Sequence, residues 1–202
     1  MVAVLLVGTA TRLLACFLWS EDLTLDRDAY LGIARNITAG NGFCTPETTT
    51  PTAYRPPVYP ISLGIFFAVF PENIAVAVLN IAAGLATICG VWILMKQWWQ
   101  PPLRQWLAAG FAIALDPLLL RYTAQPMTEC LFTTLTVWTL VGVSSFFREG
   151  EAPAEPLRDN MLDPTSGSAG ASPSPFLTGL LAGLAILCRP TLLPFIGLMT
   201  VI

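Results

Sequence analysis

Five apolar runs divide the chain, at residues 2–19, 72–96, 103–122, 129–147 and 176–202. A helix needs about 20 residues to cross the hydrocarbon core of a bilayer, so each run predicts one transmembrane helix. The second is the clearest, because the 23 residues between Glu72 and Lys96 carry no charge. The third is interrupted by Asp116-Pro117, and the fifth by Arg189-Pro190 near its middle. The first holds Arg12 but no basic residue ahead of its apolar core. That is the wrong start for a cleaved signal peptide, and the run reads as a retained anchor helix. The expected fold class is an all-α membrane protein with about five transmembrane helices.

A long polar stretch, residues 20–72, separates the first two runs. Within it Tyr30, Ile33, Ala34 and Ile37 recur at i, i+3, i+4 and i+7, the spacing of one helical face. Gly40-Asn41-Gly42 supplies a stop for that helix. A second short apolar piece, 58–70, lies between Pro57 and Pro71. Neither piece is long enough to cross, so both are expected as juxtamembrane helices. Residues 149–175 are dominated by Pro, Ala, Gly and Ser without apolar periodicity, which predicts a flexible linker with no core. The expected organisation is a bundle over 1–148 carrying the loop 20–72, a linker over 149–175, and a fifth helix over 176–202. The last run is still apolar at Ile202, and the bundle is expected to be incomplete.

Basic residues near helix ends mark the cytoplasmic side. Lys96 and Arg104 flank the link between the second and third runs and assign it to the cytoplasm. The loop 20–72 and the link 121–129 then share the opposite face, and the 149–175 linker returns to the cytoplasm.

Composition agrees with a membrane reading. Charged residues make up 11% of the chain, against about 25% in soluble domains. The net charge is −3 with no basic stripe, which argues against a nucleic-acid partner. The chain has no histidine, so acid–base chemistry falls to Asp, Glu, Lys, Tyr or Cys, and most zinc ligand sets are excluded. None of the five cysteines forms a C-x-x-C pair, and no disulfide framework is implied.

Few polar groups remain to carry chemistry. Asp26 and Asp28 stand at the start of the amphipathic helix, where a carboxylate can cap the helix or take a proton from a hydroxyl or amine. Arg55 precedes Pro56-Pro57, which bias the backbone toward an extended form, and its guanidinium suits a phosphate or a lipid headgroup. Arg189 within an apolar run calls for a partner, with Asp116, Glu129 or a ligand phosphate as candidates. Glu129 begins the fourth run and could position an acceptor or hold a divalent cation. Trp19, Tyr54, Tyr59, Trp98, Trp99, Trp106 and Tyr122 lie near run ends, as in an interfacial belt, with sugar stacking open to Tyr54 and Tyr59.

The order of these features carries a resemblance. Asp26 precedes Tyr30 and a short helix ending at Gly40, Arg55 precedes Pro56-Pro57, Leu115-Asp116-Pro117 leads to Glu129-Cys130-Leu131-Phe132, and 183–190 reads GLAILCRP. This resembles the N-terminal part of the GT-C class of membrane glycosyltransferases, which includes protein O-mannosyltransferase-like and aminoarabinose-transferase-like enzymes. The likeness covers most of the chain outside 149–175. The class often shows Asp-Glu in the first loop where this chain has Asp26-Arg27-Asp28, which leaves open which Asp is the base. The resemblance implies transfer of a sugar from a polyprenyl-phosphate donor to a lipid, glycan or protein acceptor on the non-cytoplasmic face of a bacterial inner membrane. Asp26 would be the base, with Asp28 as the fallback; Arg55 would bind the donor phosphate with Arg189 as a secondary helper, and membrane lipids would be further partners. A transporter is the rival reading, because polar residues within spans, such as Arg189 and Asp116, also mark transport pathways. A non-catalytic membrane subunit or remnant is the second.

Overall fold

The structure, a computed structural model, describes residues 1–48, 50–98, 101–150 and 175–192. Nearly all of the expected linker 149–175, and residues 193–202 of the fifth run, lie outside the described residues. The described residues form eight α-helices: α1 (Val2–Leu18), α2 (Tyr30–Thr38), α3 (Val58–Phe67), α4 (Glu72–Trp98), α5 (Leu103–Ala114), α6 (Pro117–Thr123), α7 (Glu129–Gly150) and α8 (Pro175–Cys188). Short 3-10 turns follow α1 and α8, and an isolated bridge joins Cys44 to Pro51. No strand occurs among the described residues.

Two of these helices, α4 and α7, are long and apolar enough to cross a membrane. The pair α5 and α6, bent by 46°, makes a third if taken as one span. The 17 residues of α1 and the 14 described residues of α8 fall short of that length. The structure therefore supports two or three crossings where the sequence predicts five.

The bundle is organised around α4, which packs against α1, α3, α5, α6 and α7, while α8 lies on α7. Inside a bilayer, helices are drawn together by close packing and hydrogen bonds rather than by hydrophobicity. The α4–α7 seam shows this: Thr134 Oγ1 donates to Ala83 O at 2.6 Å, and Trp138 Nε1 to Ala86 O at 3.1 Å. Further along, Gln97 Nε2 donates to Ser145 Oγ at 2.6 Å.

The bend between α5 and α6 has an identifiable cause. Pro117 has no N–H and starts α6, a position that tolerates proline. Asp116 caps that helix by accepting from Leu119 N at 2.8 Å. On the other side of the break the carbonyl of Ala114 is left over, and α1 supplies its partners. Thr11 Oγ1 donates to it at 3.2 Å and Arg12 Nη1 at 3.5 Å. Arg12 is 0% exposed, and its Nε and Nη2 have no hydrogen-bond partner among the described residues. Its guanidinium stands at the C-terminal, negative end of α5, where a cation is favoured.

The arginine fits because α4 has a glycine beside it. A Cβ on Gly84 would lie 2.2 Å from Arg12 Nε and 3.0 Å from its Cζ. Gly84→Ala is therefore expected to destabilise the bundle by about 1–3 kcal/mol, the usual cost of overpacking. The loss should shrink when Arg12→Met is introduced first. Unfolding in mixed micelles, followed by tryptophan fluorescence, checks this; equal losses in both backgrounds would rule out the proposed fit.

Candidate functional site

Loop 20–72 folds over one end of the bundle and is held there by its own two helices. The α2 helix ends as its sequence predicts. Gly40 adopts φ 81°, Asn41 N donates to Asn36 O at 2.9 Å, and Gly40 N to Ile37 O at 3.1 Å, which closes a Schellman motif. The start of α2 is less ordinary. The residue before it, Ala29, has φ 65°, a left-handed conformation that costs a non-glycine residue about 1–2 kcal/mol. Alanine has no side chain with which to cap, and Asp26 does that work from three residues upstream. Its Oδ1 accepts from Leu31 N at 3.1 Å and its Oδ2 from Gly32 N at 2.8 Å.

Asp28 faces differently. Its Oδ1 accepts from Arg55 Nη2 at 2.6 Å, and its backbone carbonyl accepts from Arg55 Nε at 2.8 Å. Both side chains are about three-quarters buried, with 27% of Asp28 and 24% of Arg55 exposed. The Arg55 guanidinium also stands 4.5 Å from the ring centre of exposed Tyr54 and 5.5 Å from that of buried Tyr30. Burial pushes the Tyr30 phenol above its ordinary range, an effect opposed by the charge of Arg55. The Tyr30 ring meets Tyr59 edge-on at 5.4 Å. Tyr59 itself is 0% exposed and donates to Asn80 Oδ1 at 3.2 Å. The sequence reading of Tyr59 as a belt residue or sugar platform is thus corrected: its ring is core and its hydroxyl is used inside.

Asn80 carries the arrangement across to the α6–α7 turn. Its Nδ2 donates to the carbonyls of Thr123 at 3.2 Å and Gln125 at 2.7 Å. These groups follow the end of α6, where helix carbonyls lack intrahelical partners. Beyond that turn Glu129 opens α7, and its Oε1 accepts from Arg189 Nη1 at 3.1 Å. Glu129 Oε2 is buried without a hydrogen-bond partner among the described residues. Arg189 is not in the middle of a helix, as the sequence suggested. The α8 helix stops at Cys188, Pro190 begins a 3-10 turn, and the Arg189 side chain is 43% exposed. Of its candidate partners the structure selects Glu129 and not Asp116.

Two further residues join this face that sequence reasoning did not single out. Arg121 Nη1 lies 2.6 Å from Asp22 Oδ2, at an angle outside hydrogen-bond geometry, and its guanidinium is 4.9 Å from the ring centre of Trp19. This pair ties the turn after α1 to α6. Nothing local in the sequence announces it, since the two residues stand 99 positions apart. A small cleft of about 10 Å³ lies between Asp22, Arg27 and Asp28 on the loop and Gln125, Pro126 and Met127 on the turn. That is room for about one water molecule.

The structure therefore gathers Asp28, Arg55, Tyr30, Glu129 and Arg189 at one end of the bundle. Asp26 caps α2 with both of its oxygens. No three acidic or thiol side chains come together as a metal ligand set among the described residues.

Loss of the cap should be felt locally. Asp26→Ala is expected to speed hydrogen exchange of the Leu31 and Gly32 amides about tenfold, in keeping with a capping contribution of about 1–2 kcal/mol. Unchanged exchange at those two amides would show that Asp26 is not their acceptor.

Compared with known protein families, characterised proteins and solved structures, the chain matches none significantly.

Proposed function

We propose that this face transfers a sugar from a polyprenyl-phosphate donor to a hydroxyl-bearing acceptor, as members of the GT-C class do. The observation that carries the reading is the pairing of Arg55 with Asp28 at 2.6 Å, between two tyrosine rings, on the polar end of an otherwise apolar bundle. A phosphate ligand and a candidate base are thereby held side by side. In the proposed reaction the donor phosphate displaces Asp28 from Arg55, and the released carboxylate takes the proton of the acceptor hydroxyl. The acceptor oxygen bonds to the anomeric carbon as the bond from that carbon to the phosphate oxygen breaks. The electron pair leaves with polyprenyl phosphate, whose charge Arg55 meets. Arg189, joined to Glu129, stands as a second cation for the same phosphate. The free Oε2 of Glu129 is an acceptor for a sugar or acceptor hydroxyl. Between the two aspartates the geometry favours Asp28, because Asp26 already spends both oxygens on α2.

The reading places the chain in a bacterial inner membrane, with α1 and the α8 run as additional crossings. It puts the lipid tail of the donor among the helices and loop 20–72 on the non-cytoplasmic side.

Release of polyprenyl phosphate from a labelled polyprenyl-phosphate hexose, assayed in membranes holding the chain, tests the reading. Asp28→Asn is expected to lower the rate by about 10²–10⁴-fold, the usual contribution of a general base. Arg55→Ala should cost about 10²–10³-fold, as for other lost donors to a developing anion. If Asp26→Asn and Asp28→Asn both leave release intact, the base assignment is wrong.

One observation favours a second reading. Broken helices with buried charge line solute sites in transporters, and the α5–α6 break holds the partly buried Asp116 and is met from α1 by the buried Arg12. Uptake of a solute into sealed vesicles, abolished by Arg12→Gln and unaccompanied by polyprenyl phosphate release, would favour that role.

A further inference from the structure

At the opposite end of the bundle from the polar face, α1, α4 and α5 line a cavity of about 230 Å³. Val4, Ile88, Val91 and Leu107 supply its apolar walls, and the rings of Trp92 and Trp106, 4.9 Å apart, stand at its mouth. Lys96 is also in the lining, with its ammonium 3.9 Å from the ring centre of Trp92. It is the only lysine in the chain. Arg104 follows Leu103, another lining residue, and is exposed in the first turn of α5.

Each part of this arrangement restricts the occupant. A water molecule needs two to four polar partners, and the walls offer almost none; apolar cavities of about 150 Å³ already take up hydrocarbon in place of water. The helices that form the walls include the clearest membrane span of the chain, so hydrocarbon at this position means a lipid tail. A tail entering from the membrane brings its headgroup to the level of the tryptophans, the residues that anchor at the interface. There Lys96 stands in the last turn of α4, with Arg104 nearby. Basic groups between helix ends are suited to anionic lipid headgroups.

We propose that this cavity binds one anionic phospholipid of the adjacent leaflet, an acyl chain inside and the phosphate on Lys96. The site is separate from the sugar-transfer reading and stands or falls without it. Trp92 keeps the ammonium at the cavity mouth when the headgroup is absent, through a cation–π contact. The bound tail fills the space between α1, α4 and α5, and so supports this end of the bundle.

Native mass spectrometry of the 202-residue chain in mild detergent, with equal phosphatidylglycerol and phosphatidylcholine of the same acyl chains, tests the proposal. The chain should retain phosphatidylglycerol about fivefold over phosphatidylcholine, the preference that about 1 kcal/mol from one near-surface lysine gives. Lys96→Gln should bring the two lipids to parity with an unchanged helical circular dichroism spectrum. Val91→Trp, which fills the cavity, should lower retention of both lipids. A second readout follows from the single lysine. After ¹³C reductive methylation, which keeps the charge, the dimethyl-lysine resonance of Lys96 should shift on addition of phosphatidylglycerol and not of phosphatidylcholine. An unchanged preference in Lys96→Gln, or a resonance that responds equally to both lipids, overturns the headgroup contact. Undiminished lipid retention in Val91→Trp overturns the tail site. A dimer that Val91→Trp dissociates, without change in bound lipid, would assign the cavity to a second copy of the chain instead.

Discussion

A backbone break within an apolar helical bundle must be repaired by side chains, and this constraint organises α1, α4, α5 and α6. The hydrocarbon core offers no water to a carbonyl or N–H that loses its helical partner, and each such group costs several kcal/mol. The break at Asp116-Pro117 exposes groups on both sides. Asp116 takes the amide of Leu119, Thr11 and Arg12 reach from α1 to the carbonyl of Ala114, and Asn80 reaches from α4 to the carbonyls beyond α6. These repairs fix α1 and α4 relative to the bent pair. Arg12 can lie buried because it answers the negative end of α5, and because Gly84 leaves it space. The same repairs set the position of the turn at Gln125, and with it the start of α7 at Glu129.

From that fixed frame the polar face is assembled by pairing charges across elements. Asp22 meets Arg121, Asp28 meets Arg55, and Glu129 meets Arg189. Pairs of this kind, partly open to solvent, contribute little to stability, about 0–1 kcal/mol each. Their larger effect is positional: they hold the loop against the bundle with opposite charges already in register. The strain at Ala29 belongs to the same design. A left-handed residue between Asp28 and Tyr30 turns the chain sharply, so that Asp26 can cap α2 while Asp28 points the other way, to Arg55. Backbone strain that persists beside a charged cluster is a common mark of a functional surface.

How much of this was legible in the sequence follows from the range of each interaction. The stop of α2 was readable, because Gly40-Asn41-Gly42 is a local signal and the Schellman bonds are local bonds. The helical class was readable from the apolar runs, and among the described residues two or three of the five expected crossings are long and apolar enough. The interruption at Asp116-Pro117 was readable as a break, but its repair by Arg12 was not, since that contact joins residues 102 positions apart. The candidate residues Asp28, Arg55, Glu129 and Arg189 were found from their polarity in an apolar chain. Which of the two aspartates faces Arg55 depended on the conformation of Ala29, and no sequence pattern asks an alanine to adopt positive φ. Arg189 was placed in mid-span because the apolar run continues past it; the helix stops before it since Pro190 cannot continue the hydrogen-bond ladder.

In the proposed reaction the pairing of Asp28 with Arg55 also decides how the face responds to a phosphate. In the absence of an anion, Arg55 is the best partner Asp28 has, and the cleft beside it admits no more than about one water molecule. An incoming phosphate brings more negative charge and more acceptor oxygens than one carboxylate, so it competes for the guanidinium on favourable terms. Arg55 loses little in the exchange, because its contact with the carbonyl of Asp28 and its place against Tyr54 and Tyr30 do not depend on the carboxylate. Asp28 loses the side-chain partner it has among the described residues and gains freedom to accept a proton. In that proposal, binding of the anion and release of the base are one event, with the turn around Ala29 holding the carboxylate within reach of whatever hydroxyl the phosphate brings beside it.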